Sequence, residues 1–285
     1  MIEGESSQEL LRSTPENSEE SRTIITGGTE GIGKAVAQQF IGRGDKVAIC
    51  ARDKRKLEEM KEGSPNLIAE VVDISDRHAG RDFVYKAGNE MGGLDLLILN
   101  AATSGIPGRV ETEEEKNKRT DYIFLVNQVA QVALTRAALS MLRESHGTVV
   151  FITSGLARLQ TQPPGSEEYA RSKARIEKYL SNLSTIPENQ GIKIFSINPG
   201  PVDTRMHEEI IERGPEILAQ LSTNAKALGL LRDPEVIGKI VAKLASTGMD
   251  YNPETKEYDL PIENASVVDI SSENIEFESR PQALP

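Results

Sequence analysis

From residue 23 onward the chain alternates short unbroken apolar runs with longer stretches in which apolar residues return every three or four positions. The runs at 23–26, 46–50, 67–72, 94–99, 148–153 and 193–197 are aliphatic and β-branched, and each predicts a strand. Apolar residues in succession, rather than in alternation, mean that both faces of a strand are covered, as in a parallel sheet. The intervening stretches predict helices. Ile32, Ala35, Val36 and Phe40 share one helical face, as do Phe83, Val84, Ala87 and Met91, and long helices are expected at 120–142 and 167–184. Asp233 before Pro234 marks another helix start, with Val236, Ile237, Ile240, Val241 and Leu244 as its apolar stripe. Strand followed by helix, repeated six times, predicts an α/β fold: a doubly wound parallel sheet in three layers, α/β/α, with right-handed crossovers.

Charge divides the chain differently from hydropathy. The 285 residues carry 44 acidic and 33 basic side chains, a net charge of -11. Residues 1–22 hold six acidic and two basic groups, and 249–285 hold nine and two, so the body at 23–248 has 29 of each sign. A balanced body offers no broad basic surface, and no nucleic-acid partner is expected. The first 22 residues are nearly devoid of apolar groups and predict a disordered acidic tail. The segment 249–285 reads as an atypical acidic extension, within which Ser266, Val267 and Val268 are the candidate for a seventh strand. A single cysteine excludes an internal disulfide and a cysteine-rich zinc site. With no long apolar run and an acidic N-terminus, the expectation is a soluble cytoplasmic protein without a membrane partner.

The first predicted strand runs into Thr26-Gly27-Gly28-Thr29-Glu30-Gly31-Ile32-Gly33, and the first helix begins there. Glycines at this point let a backbone turn tightly against a pyrophosphate, while the helix end offers free N–H groups. The second strand ends at Ala51-Arg52. An acidic residue at that place would hold the two hydroxyls of an adenosine ribose, whereas an arginine pairs with a 2′-phosphate.

With these residues in place the chain, from about 23 to 246, resembles the short-chain dehydrogenase/reductase family, whose fold is the Rossmann fold. Asp73-Ile74 is similar to the family's adenine-contacting pair, and Asn100-Ala101-Ala102 stands where the family usually has Asn-Ala-Gly. Asn127, Ser154, Tyr169 and Lys173 fall at the positions of the catalytic tetrad. Pro199-Gly200, Val202 and Thr204 lie in the stretch that touches the nicotinamide carboxamide. The resemblance implies an oxidoreductase acting on a small carbonyl or alcohol substrate. Tyr169 would be its general acid/base, Ser154 would hold the reacting oxygen, and Lys173 would hold the cofactor ribose and lower the tyrosine pKa. Tyr169 and Lys173 therefore also count among the cofactor-binding residues, with Thr26, Gly27, Thr29, Glu30, Gly31, Ile32, Gly33 and Arg52. Arg52 favours NADP(H) over NAD(H), and the long helices suggest a homodimer. A nucleotide-binding scaffold protein, or a dehydratase or epimerase on the same fold, is the competing reading.

Several positions depart from the family pattern. Ala102 replaces a glycine, Glu30 stands where NADP-using members often have a basic residue, and Pro163-Pro164-Gly165 inserts a stiff turn before Tyr169. The region 202–231 reads as a substrate lid, with Met206, Ile210, Ile211, Ile217, Leu218, Leu221, Leu228 and Leu231 either lining a pocket or gluing two helices to the body.

Overall fold

The computed structural model describes residues 20–64, 66–105, 112–247, 251–252, 257–258, 267–271 and 276–278. Most of the tail at 1–22 and much of 249–285 therefore lie outside the described residues. Six strands carry the alternation read from the sequence: β1 Arg22–Thr26, β2 Lys46–Ala51, β3 Leu67–Val71, β4 Leu96–Leu99, β5 Thr148–Ile152 and β6 Lys193–Asn198. The helices are α1 Gly31–Gly42, α2 Lys54–Lys61, α3 Arg77–Met91, α4 Glu113–Phe124, α5 Gln131–Ser145, α6 Glu167–Ser184, α7 Arg205–Arg213, α8 Glu216–Ala227 and α9 Pro234–Thr247. Beyond them lie β7 Tyr251–Asn252, β8 Glu257–Tyr258, β9 Val267–Asp269 and β10 Glu276–Glu278.

The main sheet has the order β10-β9-β6-β5-β4-β1-β2-β3. All its pairings are parallel except β10 on β9. The crossover of strand order lies between β1 and β4, and in doubly wound sheets the carboxyl ends beside that point form the binding crevice. Val267 and Val268 pair with β6, so the segment 249–285 contributes a strand to the same sheet as the body.

Alternate residues of each central strand enter two separate cores. Ile25, Val47, Ile49, Ile98, Val150 and Ile197 pack against α1 and α9, while Ile24, Ala48, Cys50, Leu97, Val149 and Phe151 pack against α3, α5 and α6. This is why the strands read as continuous apolar runs. Among the strands whose burial is described, only β3, at the sheet edge, keeps a mostly half-buried pattern. Burial pushes the Cys50 thiol up to about 12, so this cysteine packs as a small apolar residue.

Two elements differ from the sequence expectation. The helix expected at 120–142 spans Glu113–Ser145 with a π turn, Leu125–Ala130, between α4 and α5. A π turn is a change of backbone hydrogen-bond register, which a hydropathy pattern does not report. The rod is long enough to cross a membrane, but 56% of its most apolar window is buried in the protein, as for a core helix. In α9, Asp233 Oδ1 accepts a hydrogen bond of 2.8 Å from the Glu235 amide, as an N-cap should, but Val236 is exposed rather than part of the buried stripe.

Candidate active site

The turn after β1 is fixed by its own backbone and by Asn100. Gly27 has φ +67, a left-handed conformation that favours glycine. A Cβ on Gly33 would land on the Gly27 carbonyl oxygen and the Asn100 side-chain nitrogen, so only glycine lets α1 start this close to β1. Asn100 Nδ2 donates to the carbonyls of Thr26 at 3.0 Å and Gly27 at 3.1 Å, and the Thr26 hydroxyl accepts from the Asn100 and Ala101 amides. Asn100 thus sets the shape of the turn. Thr29 is buried and Ile32 packs on the core beneath it.

No side chain caps α1. Glu30, at its N-cap position, turns its carboxylate to Lys56 Nζ and lies 3.6 Å from Arg205 Nη1. The first amides of α1 are left for an anion, and the one acidic group of the turn is matched by cations. Thr204 packs against Gly31, where an added Cβ would meet its Cγ2 at 3.0 Å. The start of the 202–231 segment therefore sits directly on the turn. Val202 is buried and bridges Arg232. Gly200, after Pro199, has φ +71, and its amide donates to Asn198 Oδ1 at 3.2 Å.

Arg52 lies just past β2 and is exposed, with Nη1 donating to the Tyr122 hydroxyl at 2.8 Å. Asp73 accepts from the Ser75 amide at 2.9 Å, while the Ile74 side chain is buried in the core. Ala102 is half-buried beside Thr103.

The four candidate catalytic residues come from the segment just past β5, the π turn and α6. The Ser154 hydroxyl lies close enough to the Tyr169 phenol to act on its pKa. Lys173 is 2% exposed; its Nζ donates to the Ile152 carbonyl at 2.8 Å and lies 4.7 Å from the Phe151 ring centroid and 5.7 Å from that of Tyr169. Asn127 Nδ2 donates to the Thr103 carbonyl at 2.9 Å and to Ser172 Oγ at 3.1 Å, while its Oδ1 accepts from the Thr103 amide at 2.8 Å. Through Ser172 it touches the residue preceding Lys173. The π turn is what aims Asn127 inward, where it is 1% exposed.

The electrostatics differ from the sequence expectation. Burial pushes the Tyr169 phenol up to about 12, and Ser154 only partly offsets this. Burial likewise takes Lys173 down to about 7, against which Glu177 pulls it up.

Several neighbours escaped the sequence reading. Tyr122 steadies Arg52, Lys56 meets Glu30, and Glu177 lies one helical turn beyond Lys173. A buried acidic residue at the 169, 173, 177 spacing was the available signal for the last. The contacts of Tyr122 and Lys56 span 70 and 26 residues of sequence, and no local pattern encodes them.

Residues 21–214 match the short chain dehydrogenase family. The chain belongs to this family. Its members are oxidoreductases that use a nicotinamide cofactor. The chain is 34% identical over 188 residues to a short chain dehydrogenase of Pseudocercospora fijiensis (strain CIRAD86), covering 64% of this chain and 60% of that protein. It is 28% identical over 233 residues to the 3-oxoacyl-[acyl-carrier-protein] reductase FabG of Rickettsia prowazekii (strain Madrid E), covering 80% and 90%. Among solved structures, a short chain dehydrogenase from Burkholderia cenocepacia J2315 in complex with NADP superposes with a TM-score of 0.69 at 25% identity, covering 88% of this chain and 96% of that one. For this short-chain dehydrogenase, the uncapped start of α1 and the glycine cradle at 27 and 33 fit such a cofactor.

Proposed function

We propose that the protein is an NADP-dependent carbonyl reductase or alcohol dehydrogenase in which Tyr169 is the general acid/base. The observation that carries this reading is the convergence of Ser154 and Tyr169 one helical turn from the buried Lys173, whose Nζ donates to the Ile152 carbonyl. Thr26, Gly27, Thr29, Gly31, Ile32 and Gly33 would hold the pyrophosphate side, with Asp73, Ile74, Asn100, Ala101 and Ala102 on the adenosine side. Pro199, Gly200, Val202 and Thr204 would hold the nicotinamide side. The bound cofactor supplies or accepts a hydride. Tyr169 gives its phenolic proton to a carbonyl oxygen, Ser154 donates to that same oxygen as charge gathers on it, and Lys173 orients the ribose hydroxyls. Asn127, tied to Ser172, steadies the helix that presents Tyr169 and Lys173.

Two features support NADP(H). The Arg52 guanidinium is exposed at the end of β2, and Lys56 matches the negative charge of Glu30, so that acid does not repel a 2′-phosphate. The NADP complex of the Burkholderia cenocepacia relative agrees with this. The lid supports a mostly apolar substrate: Ile217, Leu221 and Leu228 are 51%, 52% and 72% exposed, so they do not serve to glue α8 to the body. FabG, among the relatives, makes 3-oxoacyl thioesters one class to include. We extend the reading to a cytoplasmic homodimer through the helices of Asn127 and Tyr169, whose outer face carries the half-exposed Phe124 beside Arg175.

The test is a panel of aldehydes, diketones and 3-oxoacyl thioesters with NADPH, followed by nicotinamide absorbance. Tyr169→Phe is expected to keep cofactor affinity and lose turnover by about a hundredfold or more. A fully active variant would overturn the assignment, and NADPH binding without oxidation by any carbonyl would favour a scaffold role.

A further inference from the structure

α5 is tied to the chain of β4 at both ends of that strand. On the amino side, Ser145 Oγ donates to the Leu94 carbonyl at 2.6 Å. On the carboxyl side, beside the binding crevice, Gln131 Nε2 donates to the Ala101 carbonyl at 2.9 Å. The same NH2 group donates to the Val126 carbonyl at 3.1 Å. Gln131 is 1% exposed, on a helix whose other buried residues are Leu134, Thr135, Ala137, Ala138 and Leu142. Two carbonyls within reach fix which half of its amide faces them, since an amide oxygen donates to neither. Val126 lies five residues back, the separation that a backbone bond spans in a π turn, while the Gln131 backbone N–H donates to the Gln128 carbonyl. One side chain therefore joins the π turn to the exit of β4.

That exit is a short piece of chain with partners on both sides. Toward the glycine turn, the Thr26 hydroxyl accepts from the Asn100 and Ala101 amides, and Asn100 Nδ2 donates to the carbonyls of Thr26 and Gly27. Toward the π turn, Asn127 accepts from the Thr103 amide at 2.8 Å and donates to its carbonyl at 2.9 Å. Ala101 links the two sets: its amide faces Thr26 and its carbonyl faces Gln131. We infer that Gln131 is a positioning residue for the nicotinamide cofactor: by holding the Ala101 carbonyl it keeps Asn100 seated against Thr26 and Gly27, and so keeps the glycine cradle at 27 and 33 in its binding shape. Gln131 acts on that cradle through Ala101 and Asn100, from the first residue of α5.

The inference rests on the proposed placement of the cofactor at this end of the sheet, and one arm of its test needs no cofactor. Gln131→Met keeps the length of the side chain and removes the donor. In the full-length protein without cofactor, the amides of Asn100, Ala101 and Thr103 are expected to exchange with solvent deuterium about fivefold faster or more in this variant, the net worth of one hydrogen bond. Equal exchange rates overturn the inference. NADPH fluorescence titration is expected to show a complex weaker by about the same factor. Ser145→Ala removes the matching bond at the far end of β4. It is expected to lower resistance to urea, as Gln131→Met does, and to leave NADPH affinity at the wild-type value. Equal losses of affinity in the two variants, or none in Gln131→Met, would reduce Gln131 to a packing residue and overturn the inference. If Gln131→Met does not fold, Gln131→Asn, one methylene too short to reach both carbonyls, takes its place with the same expectations. A wild type that binds neither NADPH nor NADH would overturn the cofactor reading and the purpose given to Gln131, while the exchange rates alone decide whether Gln131 holds the exit of β4.

Discussion

Asp269 accepts a hydrogen bond of 2.9 Å from the Asn198 side-chain amide, a contact between β9 and β6 that spans 71 residues of sequence. The same Oδ2 lies 3.7 Å from Arg158 Nη1, in the turn Gly155–Arg158 that follows Ser154. Asn198 in turn accepts from the Gly200 amide. One carboxylate from β9 thus braces both walls of the proposed substrate site. Its pKa is held below the usual carboxylate value by hydrogen bonds from Ser271 and Asn198 and by Arg158, which together outweigh burial. Asp269→Ala is expected to cost about 1–3 kcal/mol in urea unfolding and to raise KM several-fold more than it lowers kcat. Wild-type values for both would mean that β9 merely covers the sheet edge.

Gly33→Ala tests the cradle. The added methyl meets the Gly27 carbonyl oxygen and the Asn100 amide, which are themselves bonded to each other and have no room to retreat. Overpacking of this kind costs about 1–3 kcal/mol or more. NADPH fluorescence titration is expected to show at least a tenfold weaker complex. An unaltered affinity would place the cofactor elsewhere.

Stability should follow pH through Lys173. Burial lowers this group from 10.5 to about 7, so between those values the unfolded chain holds a proton that the folded protein has released. Unfolding free energy therefore rises with pH across that window and loses this dependence below about 7, where both states are charged. Lys173→Met removes the group, and the wild type is expected to lose ground against it, by on the order of a few kcal/mol, as pH is lowered from 10 to 7. Urea titrations at a series of pH values measure this; a constant difference between the two proteins would show that Lys173 titrates normally.

Arg52→Ala is expected to weaken NADPH about tenfold or more and NADH little, since only the former offers a 2′-phosphate. Tyr122→Phe removes the 2.8 Å partner of Arg52 without touching its charge. A smaller loss, confined to NADPH, is expected from it. Equal losses of both cofactors in either variant would mark Arg52 as an ordinary surface cation.

The apolar runs were legible because each strand feeds two cores at once, and the residue types at 154, 169 and 173 were legible because their order and spacing are local facts. Val267 and Val268 gave a faint signal for β9, whereas Glu276-Phe277-Glu278 carries too little apolar content to announce β10. What the sequence could not show depends on distant partners. The tyrosine pKa is the clearest case: its nearest cation looks decisive on a helical wheel, yet the enclosure around the phenol, a property of the whole packed site, outweighs it.

The π turn at Leu125–Ala130 has a consequence for how the rod as a whole is phased. One residue in a helix corresponds to a rotation of roughly 100°. Deleting a single residue within 125–130 would restore ordinary winding and swing Tyr122 away from Arg52, while α5 stayed docked in the core. The angle between Tyr122 and the core-docked α5 is therefore set by one inserted residue, and a deletion there that spares Asn127 would turn Tyr122 while leaving α5 in place.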